Sequence, residues 1–256
     1  MGKSLERRLI EAMTDASFYR HRPSEVELRQ THASYVFLAG PYVYKVKKPV
    51  RFTFLDYSTL ERRHHFCREE VRLNRRLAPA LYLGVVAIVQ KGEALALHEE
   101  PGTRPRGSIV EYAVKMRRVS EEQLLSSMLK AGKVGKEELS SIARKLAAFH
   151  RTASAERAAL YGKPELIGRN VADNFADTER FIGETIGERE MRYIREYSDR
   201  FLAQHRRLFE RRAREGRVRE GHGDLRAEHI ALTDDVVIFD CIEFNEALRY
   251  CDVASE

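Results

Sequence analysis

Residues 222–229 read HGDLRAEH and residues 239–244 read FDCIEF, and these two segments decide the fold prediction. Between them, residues 235–239 (DVVIF) form a short apolar run of the kind that makes a brief β-strand. The acidic residues Asp224 and Asp240 therefore flank a predicted β-hairpin. Phosphoryl transfer requires a carboxylate that positions the attacking hydroxyl and a ligand for Mg²⁺ on the phosphates, so the two side chains could divide these tasks.

The first half of the chain has the patterns of an antiparallel sheet that carries one helix. Ser34–Leu38 and Tyr42–Lys47 are rich in β-forming residues and flank Gly40-Pro41, which predicts a hairpin. Similar runs predict three more strands, at Tyr82–Gln90, Glu93–His98 and Ser108–Met116. Four apolar residues within residues 59–77 recur roughly at helical spacing and predict one surface helix: Leu60, Phe66, Leu73 and Leu77.

Beyond Val119 the patterns become helical, because apolar residues recur at steps of about three and four. Two such sets are present: Leu139, Ile142, Leu146 and Phe149, and then Ile194, Tyr197, Phe201 and Leu208. The sequence therefore predicts an α+β fold, with an antiparallel sheet in the first half and a mostly helical second half that contains the short hairpin.

The composition is that of an ordinary globular protein, since 43% of the 256 residues are hydrophobic. The 45 basic and 39 acidic residues give a net charge of +6, which fits an anionic ligand such as a nucleotide. The three cysteines form no CxxC pair, which argues against a disulfide framework or a zinc site. No stretch reaches the roughly 18 apolar residues of a membrane helix, and no signal-peptide pattern is present. We expect a soluble, cytoplasmic protein without a membrane partner.

The hairpin segments resemble those of the aminoglycoside phosphotransferase and choline kinase group, relatives of protein kinases, whose loop reads H-G-D-x-x-x-x-N before an I-D or F-D metal motif. The likeness is greater to a bacterial aminoglycoside phosphotransferase-like subgroup in which THxSxVFLxG, VYKxKKPV, FLDxSTLExR and LNRRLAPxLYL recur. Residues 31–83 match that pattern almost throughout. The resemblance implies a two-lobed kinase-like fold, with an N-lobe at residues 1–117 and a C-lobe at residues 118–256.

The resemblance also implies a kinase that transfers the γ-phosphoryl group of ATP or GTP to the hydroxyl of a small molecule. It makes Asp224 the catalytic base and Asp240 the principal Mg²⁺ ligand. His229 stands where most relatives have asparagine as the second metal ligand, which weakens that ligand for Mg²⁺ or shifts the preference toward Mn²⁺. Arg226 lies two residues after the base, where a guanidinium could stabilise charge on the transferred phosphoryl group.

The phosphate side of the predicted nucleotide site lies in the first half of the chain. The resemblance implies that Lys45 contacts the α- and β-phosphates, with Lys47 on the same strand face as the alternative. Glu70 is the implied helix partner of the lysine, preferred to Glu69 because the apolar residues that follow then fall where the family places them. Only Gly40 marks the first hairpin, so we expect no full glycine-rich phosphate loop.

The resemblance places the adenine side at Glu111–Lys115, as a hinge whose backbone pairs with the base. Tyr112 and Val114 are the residues of this segment that we expect to contact the nucleotide. Together with the phosphate side, this completes a predicted ATP or GTP site with Mg²⁺, or Mn²⁺, as its cation.

Two alternatives and one expectation about length accompany this interpretation. His229 and the end of the chain at residues 252–256 favour a nucleotide-binding pseudokinase, because relatives continue here into helices that form the acceptor wall, and some carry a further P-loop domain. We therefore expect a truncated chain with an incomplete acceptor site.

The arginine-rich residues 192–219 raise the possibility of a basic nucleic-acid-binding protein, but interleaved acidic residues favour a solvated helix face. The acceptor and the oligomeric state stay open.

Overall fold

The structure, a computed structural model, describes residues 3–99, 102–103 and 106–256. Its α-helices are α1 (Lys3–Thr14), α2 (Leu60–Asn74), α3 (Leu125–Lys130), α4 (Lys136–Thr152), α5 (Ala158–Tyr161), α6 (Pro164–Thr178), α7 (Glu188–Arg214) and α8 (Glu246–Arg249). Its strands are β1 (Val26–Gln30), β2 (Ser34–Ala39), β3 (Tyr42–Lys47), β4 (Tyr82–Lys91), β5 (Ala94–His98), β6 (Ser108–Arg117), β7 (Val218–Glu220), β8 (Ile230–Leu232), β9 (Val236–Ile238) and β10 (Tyr250–Asp252). The predicted α+β class is confirmed.

The first six strands form one antiparallel sheet in the order β1-β2-β3-β6-β4-β5. The five strands expected in this half are present, and β1 is an addition. Its sequence, VELRQ, is mostly exposed at the sheet edge, so it lacks the apolar signal that identifies a strand. The predicted hairpin is present as β2–β3, which turns at Gly40-Pro41. Because β1 pairs with β2 from Val26↔Ala39 to Gln30↔Tyr35, another hairpin, with its turn at residues 31–33, precedes it.

The sheet buries two different apolar clusters, one on each face. Residues of α1, including Leu9 and Met13, pack with Tyr44 and Val46 of β3. Val43, one residue earlier in β3, packs with the cluster formed by α2, β4 and β6. Since side chains alternate along a strand, Lys45 and Lys47 share the α2 face of the sheet with Val43.

Helix α2 begins after Thr59, whose hydroxyl accepts a hydrogen bond from the Arg62 backbone N–H at 3.3 Å. Its buried face carries charged side chains as well as apolar ones. Arg63 is 2% exposed and Glu111 of β6 is completely buried. The Arg63 Nη2 lies 2.8 Å from Glu111 Oε2, so α2 and the sheet are joined by a buried ion pair.

The chain forms two compact units, residues up to Leu146 with Asp224–Asn245, and Ala147–Gly223 with Glu246–Glu256. The first unit holds the six-stranded sheet and the antiparallel pair β8–β9, which is the hairpin expected from the sequence. The lobe boundary between residues 117 and 118 stays a prediction.

The second unit contains α5 to α7 and the antiparallel pair β7–β10. Gly162 is required there, because a Cβ at this position would lie 2.8 Å from the Ala158 carbonyl oxygen and from Ala213 Cβ. The helix expected over residues 192–219 is present as α7, which ends at Arg214, before β7. Its apolar face is exposed, for example at Tyr197 (54%) and Phe201 (40%). Among the described residues, no helix is long and apolar enough to cross a membrane.

Replacement of Arg63 tests the buried ion pair. Arg63→Ala should lower the free energy of unfolding by about 3–5 kcal/mol, because it leaves the Glu111 carboxylate buried without its cation. Urea unfolding measures this. Arg62→Ala is the matched control, since Arg62 lies on the same helix and is exposed, and it should cost about 1 kcal/mol or less. Equal effects of the two substitutions would contradict a structural role for the buried pair.

Candidate functional site

Two lysines of β3 lie in a buried network of carboxylates. Lys45 Nζ lies 2.5 Å from Asp240 Oδ1 and 3.0 Å from Glu70 Oε1. Lys47 Nζ lies 2.7 Å from Glu70 Oε2 and also donates to Glu243. Glu70 therefore connects the two lysines, with one carboxylate oxygen on each.

The charged forms of these groups stabilise one another. Burial alone would lower the pKa of Lys45, but the Asp240 and Glu70 carboxylates raise it well above its ordinary value. The pKa of Lys47 is raised in the same way, chiefly by Glu243 and Glu70 against the effect of burial. Burial would raise the pKa of Asp240, yet Lys45 holds it below its ordinary value. At neutral pH both lysines are cations and Asp240 is an anion.

The backbone at Asp240 is held in an unusual conformation. Strands β8 and β9 pair from Ile230↔Ile238 to Leu232↔Val236, and Asp240 follows with a φ of +64°. This left-handed conformation is uncommon for a residue other than glycine. The Tyr82 hydroxyl accepts the Asp240 N–H at 3.1 Å, and Asn74 Oδ1 accepts the Cys241 N–H at 2.9 Å. These bonds fix the direction of the Asp240 carboxylate.

The loop before β8 brings three further predicted residues to the same place. His229 Nδ1 donates to the Asp224 carbonyl oxygen at 2.8 Å, because a carbonyl can only accept. Since a guanidinium has no acceptor, Arg226 Nη2 is the donor in its contact with His229 Nε2, at 3.2 Å. That nitrogen lies 3.5 Å from Asp240 Oδ2. Arg226 Nε also lies 3.3 Å from Asp224 Oδ1.

Of the predicted site residues, Lys45, Asp224 and Asp240 border a cavity of about 540 Å³ within the first unit, and His229 and Arg226 lie behind Asp224 and Asp240 without lining it. Its polar end contains Lys45, Asp224 and Asp240, and the turn at residues 31–33 lies along its wall. Most of the remaining wall is apolar: Val36, Leu38, Val43, Leu81, Met116, Val119, Leu124 and Phe239. The volume lies in the range of small-molecule sites, about 300–1,000 Å³.

The structure does not bring the two predicted hinge residues to this cavity. The Tyr112 ring stacks on His64, with ring centroids 3.9 Å apart, and borders a different cavity. Val114 is fully buried in the α2 cluster and is paired with Lys45 on one side and Val85 on the other. β6 is an interior strand of the sheet, so its backbone here has no open edge for a base. The cavity is bordered instead by residues 116–119, where the strand ends.

Two residues of the network were missed by the sequence analysis. Glu243 is buried, and it accepts hydrogen bonds from both Lys47 and the Tyr57 hydroxyl. Its only sequence signal is its place three residues after Asp240. Tyr57 is fully buried, and its hydroxyl lies 3.3 Å from Lys47 Nζ. It follows β3 by ten residues, and no motif reasoning singled it out.

No protein-family model matches the chain, and no solved structure matches it. Two curated proteins are each 34% identical to it over 229 residues: Uncharacterized protein Rv2004c of Mycobacterium tuberculosis and Uncharacterized protein Mb2027c of Mycobacterium bovis. The match covers 89% of this chain and 43% of each relative. The chain therefore spans less than half the length of the curated relatives it matches.

The buried network predicts a specific acid sensitivity. Burial would raise the pKa of Glu243, but Lys47 and Lys45 hold it below its ordinary value of 4.5. A carboxyl group whose pKa is lowered by folding stabilises the fold above its ordinary pKa, and this stability is lost as the pH falls below that value. Glu243→Gln should therefore lose less stability than the wild type between pH 6 and pH 3, measured by urea midpoints. Glu11→Gln, at an exposed ion pair, is the control and should lose as much stability as the wild type over this pH range.

Proposed function

We propose that this chain is a small-molecule kinase with a two-lobed kinase-like fold, which transfers the γ-phosphoryl group of ATP or GTP to a substrate hydroxyl. One observation carries the proposal. A lysine paired with a helix glutamate, Lys45 with Glu70, lies at the end of the same cavity as the carboxylates of Asp224 and Asp240. Phosphoryl transfer depends on positioning and on charge stabilisation, and these are the groups it uses.

The cavity suits a nucleotide in one orientation. The apolar walls formed by β2, β3 and residues 116–119 would hold the base, and Lys45 would contact the phosphates at the polar end. These walls would therefore border the base in place of the hinge expected at Glu111–Lys115. The turn at residues 31–33 would lie along the phosphates, with His32 where a glycine-rich loop would have small residues.

Asp224 would act on the acceptor. Its carboxylate is 43% exposed at the cavity, so it can accept a proton from a hydroxyl that enters from solvent. Arg226, which is 57% exposed beside it, would contact the transferred phosphoryl group. His229 would position both residues, because it bonds the Asp224 carbonyl and the Arg226 guanidinium.

The donor set fits a divalent cation that arrives with the nucleotide. Mg²⁺ in such sites takes one or two carboxylates and completes its shell with phosphates and water. Asp240, whose carboxylate is 40% exposed, and His229 Nε2 are the ligands that this chain would supply. The Nε2 lone pair accepts from Arg226 in this structure, so Arg226 would have to turn away from the imidazole, toward the phosphoryl group, when the cation binds. The cation would neutralise negative charge on the phosphates, and the imidazole ligand suits Mn²⁺ better than Mg²⁺.

The Lys45–Asp240 contact gives the first prediction for this function. Without metal, the Asp240 carboxylate competes with the phosphates for Lys45 and repels them, so Asp240→Asn should bind ATP about tenfold more tightly than the wild type in EDTA. With Mg²⁺ or Mn²⁺ the order should reverse, because the variant loses the cation ligand. Calorimetric titration measures both affinities. Weaker binding by the variant under both conditions would contradict the assigned role of Asp240.

The role of Asp224 predicts a different pattern. Asp224→Asn should lower kcat by about 10²–10⁴-fold and leave nucleotide affinity nearly unchanged, as expected for loss of a general base. ADP formation with a panel of small alcohols measures turnover, and Glu228→Gln is the matched control in the same loop, at an exposed position. Nucleotide binding without turnover on any acceptor would favour the pseudokinase alternative.

A further inference from the structure

The first unit contains a second cavity, of about 810 Å³, which shares no lining residue with the candidate active site. It lies between α2 and the strands β4 and β6. Its apolar wall is formed by Val71, Val85, Ala87 and Ile109, and by the Tyr112 ring, which stacks on His64 with an interplanar angle of 10°. A flat apolar wall of this kind accepts an aromatic or aliphatic group of a ligand.

The polar side of this cavity is strongly basic. Arg68, Arg72 and Arg75 follow one another at helical steps along α2 and border the cavity together. The described part of its lining contains one carboxylate, Glu99, and that group already bonds Lys115 Nζ at 2.8 Å and the Tyr44 hydroxyl at 2.9 Å. Three guanidinium groups therefore face a cavity with no comparable negative charge in its described wall.

The arginines differ in how firmly they are held. Arg75 donates to the carbonyl oxygens of Tyr82 at 2.9 Å and Leu83 at 2.7 Å, where the register between β4 and β6 shifts. Arg72 is paired with Glu69. Within residues 3–99, 102–103 and 106–256, no carboxylate forms an ion pair with Arg68. The cavity thus combines the guanidinium of Arg75, whose direction is fixed by two hydrogen bonds, with that of Arg68, which has no carboxylate partner among the described side chains.

We propose that this cavity binds a small anionic molecule, with a phosphate, sulfonate or carboxylate group attached to an aromatic or apolar part. The guanidinium groups of Arg68 and Arg75 would receive the anion, since their planar donor geometry matches such oxygens. The apolar part would lie against Tyr112 and the β4 side chains. The volume is within the range of small-molecule sites, about 300–1,000 Å³.

The elements around this cavity also hold the candidate active site. α2 carries Glu70, which pairs with Lys45 and Lys47. Arg75 bonds the carbonyl of Tyr82, and the Tyr82 hydroxyl accepts the Asp240 N–H. A ligand that changes the position of α2 or Arg75 therefore changes nucleotide affinity. This second part of the inference rests on the proposed function, whereas the anion site itself does not.

Phenyl phosphate is a suitable probe, with benzyl alcohol as the probe that lacks the anion. Ligand-detected NMR titration should show phenyl phosphate binding to the wild-type chain, also in saturating ATP with Mg²⁺. Arg68→Gln should weaken this binding about tenfold or more, as expected for loss of a charge-assisted hydrogen bond. Arg62→Gln, on the same helix and paired with Asp56, should leave it unchanged. Benzyl alcohol, which lacks the anion, should bind to none of these three proteins.

Each other outcome is decisive. Fully competitive displacement of phenyl phosphate by ATP would mean that the probe occupies the nucleotide site, and equal binding by wild type and Arg68→Gln would mean an adventitious ion only; either result overturns the proposal. If the probe binds but ATP affinity does not change by about threefold or more, the coupling is wrong and the anion site stands. If ATP does not bind at all, the proposed function fails, and the phenyl phosphate result still decides the anion site.

Discussion

The structure of the first unit depends on the buried ionic network in which Lys45 and Lys47 lie among Glu70, Asp240 and Glu243. Charges removed from water are costly unless their partners are close and well directed, and loss of one partner leaves an uncompensated charge. Here the partners come from β3, from α2 and from the segment after β9, which are up to 196 residues apart in sequence. The same contacts therefore define the fold and place the candidate catalytic groups.

The charges of this network do not balance. Two ammonium groups, those of Lys45 and Lys47, face three carboxylates, those of Glu70, Asp240 and Glu243. The carboxylate that is open to the cavity, Asp240, is also the one that takes Lys45 away from any phosphate. A cation that accompanies the nucleotide would compensate both effects, since it would pair with Asp240 and release Lys45. Under the proposed function, the network would therefore bind a nucleotide together with its cation better than either alone.

Much of this arrangement could be predicted where the signal is local. Lys45 and Lys47 share a face because a strand alternates, and the hairpin follows from a short apolar run between polar motifs. Glu70 lies inward while Glu69 pairs with Arg72 at the surface, since adjacent helical residues point in different directions. The position of Tyr112 and Val114 away from the candidate site could not be predicted in this way. It depends on β6 lying between β3 and β4, and the order of strands in a sheet leaves no periodic signal in any one strand. β1 was missed because it is mostly exposed and lacks an apolar pattern, and Glu243 was missed because its partners, Lys47 and Tyr57, are distant in sequence.

Helix α2 relates the two cavities, because it borders the basic cavity and its Glu70 pairs with Lys45, which borders the other. Glu70 points into the ionic network, and Arg68 and Arg72, two residues before and after it, border the basic cavity. A displacement of α2 would lengthen the Glu70 contacts with both lysines at once, so positions of the helix that keep both contacts would be favoured over positions that lose them. A ligand in the basic cavity shifts the balance between these positions only as far as it binds one more tightly than another. The anion must therefore contact Arg75 or Arg68 differently in the two positions. We expect the contact between the anion and the protein to differ most at Arg75. Its Nε and Nη2 already donate to the Tyr82 and Leu83 carbonyl oxygens, so an anion must compete with these bonds.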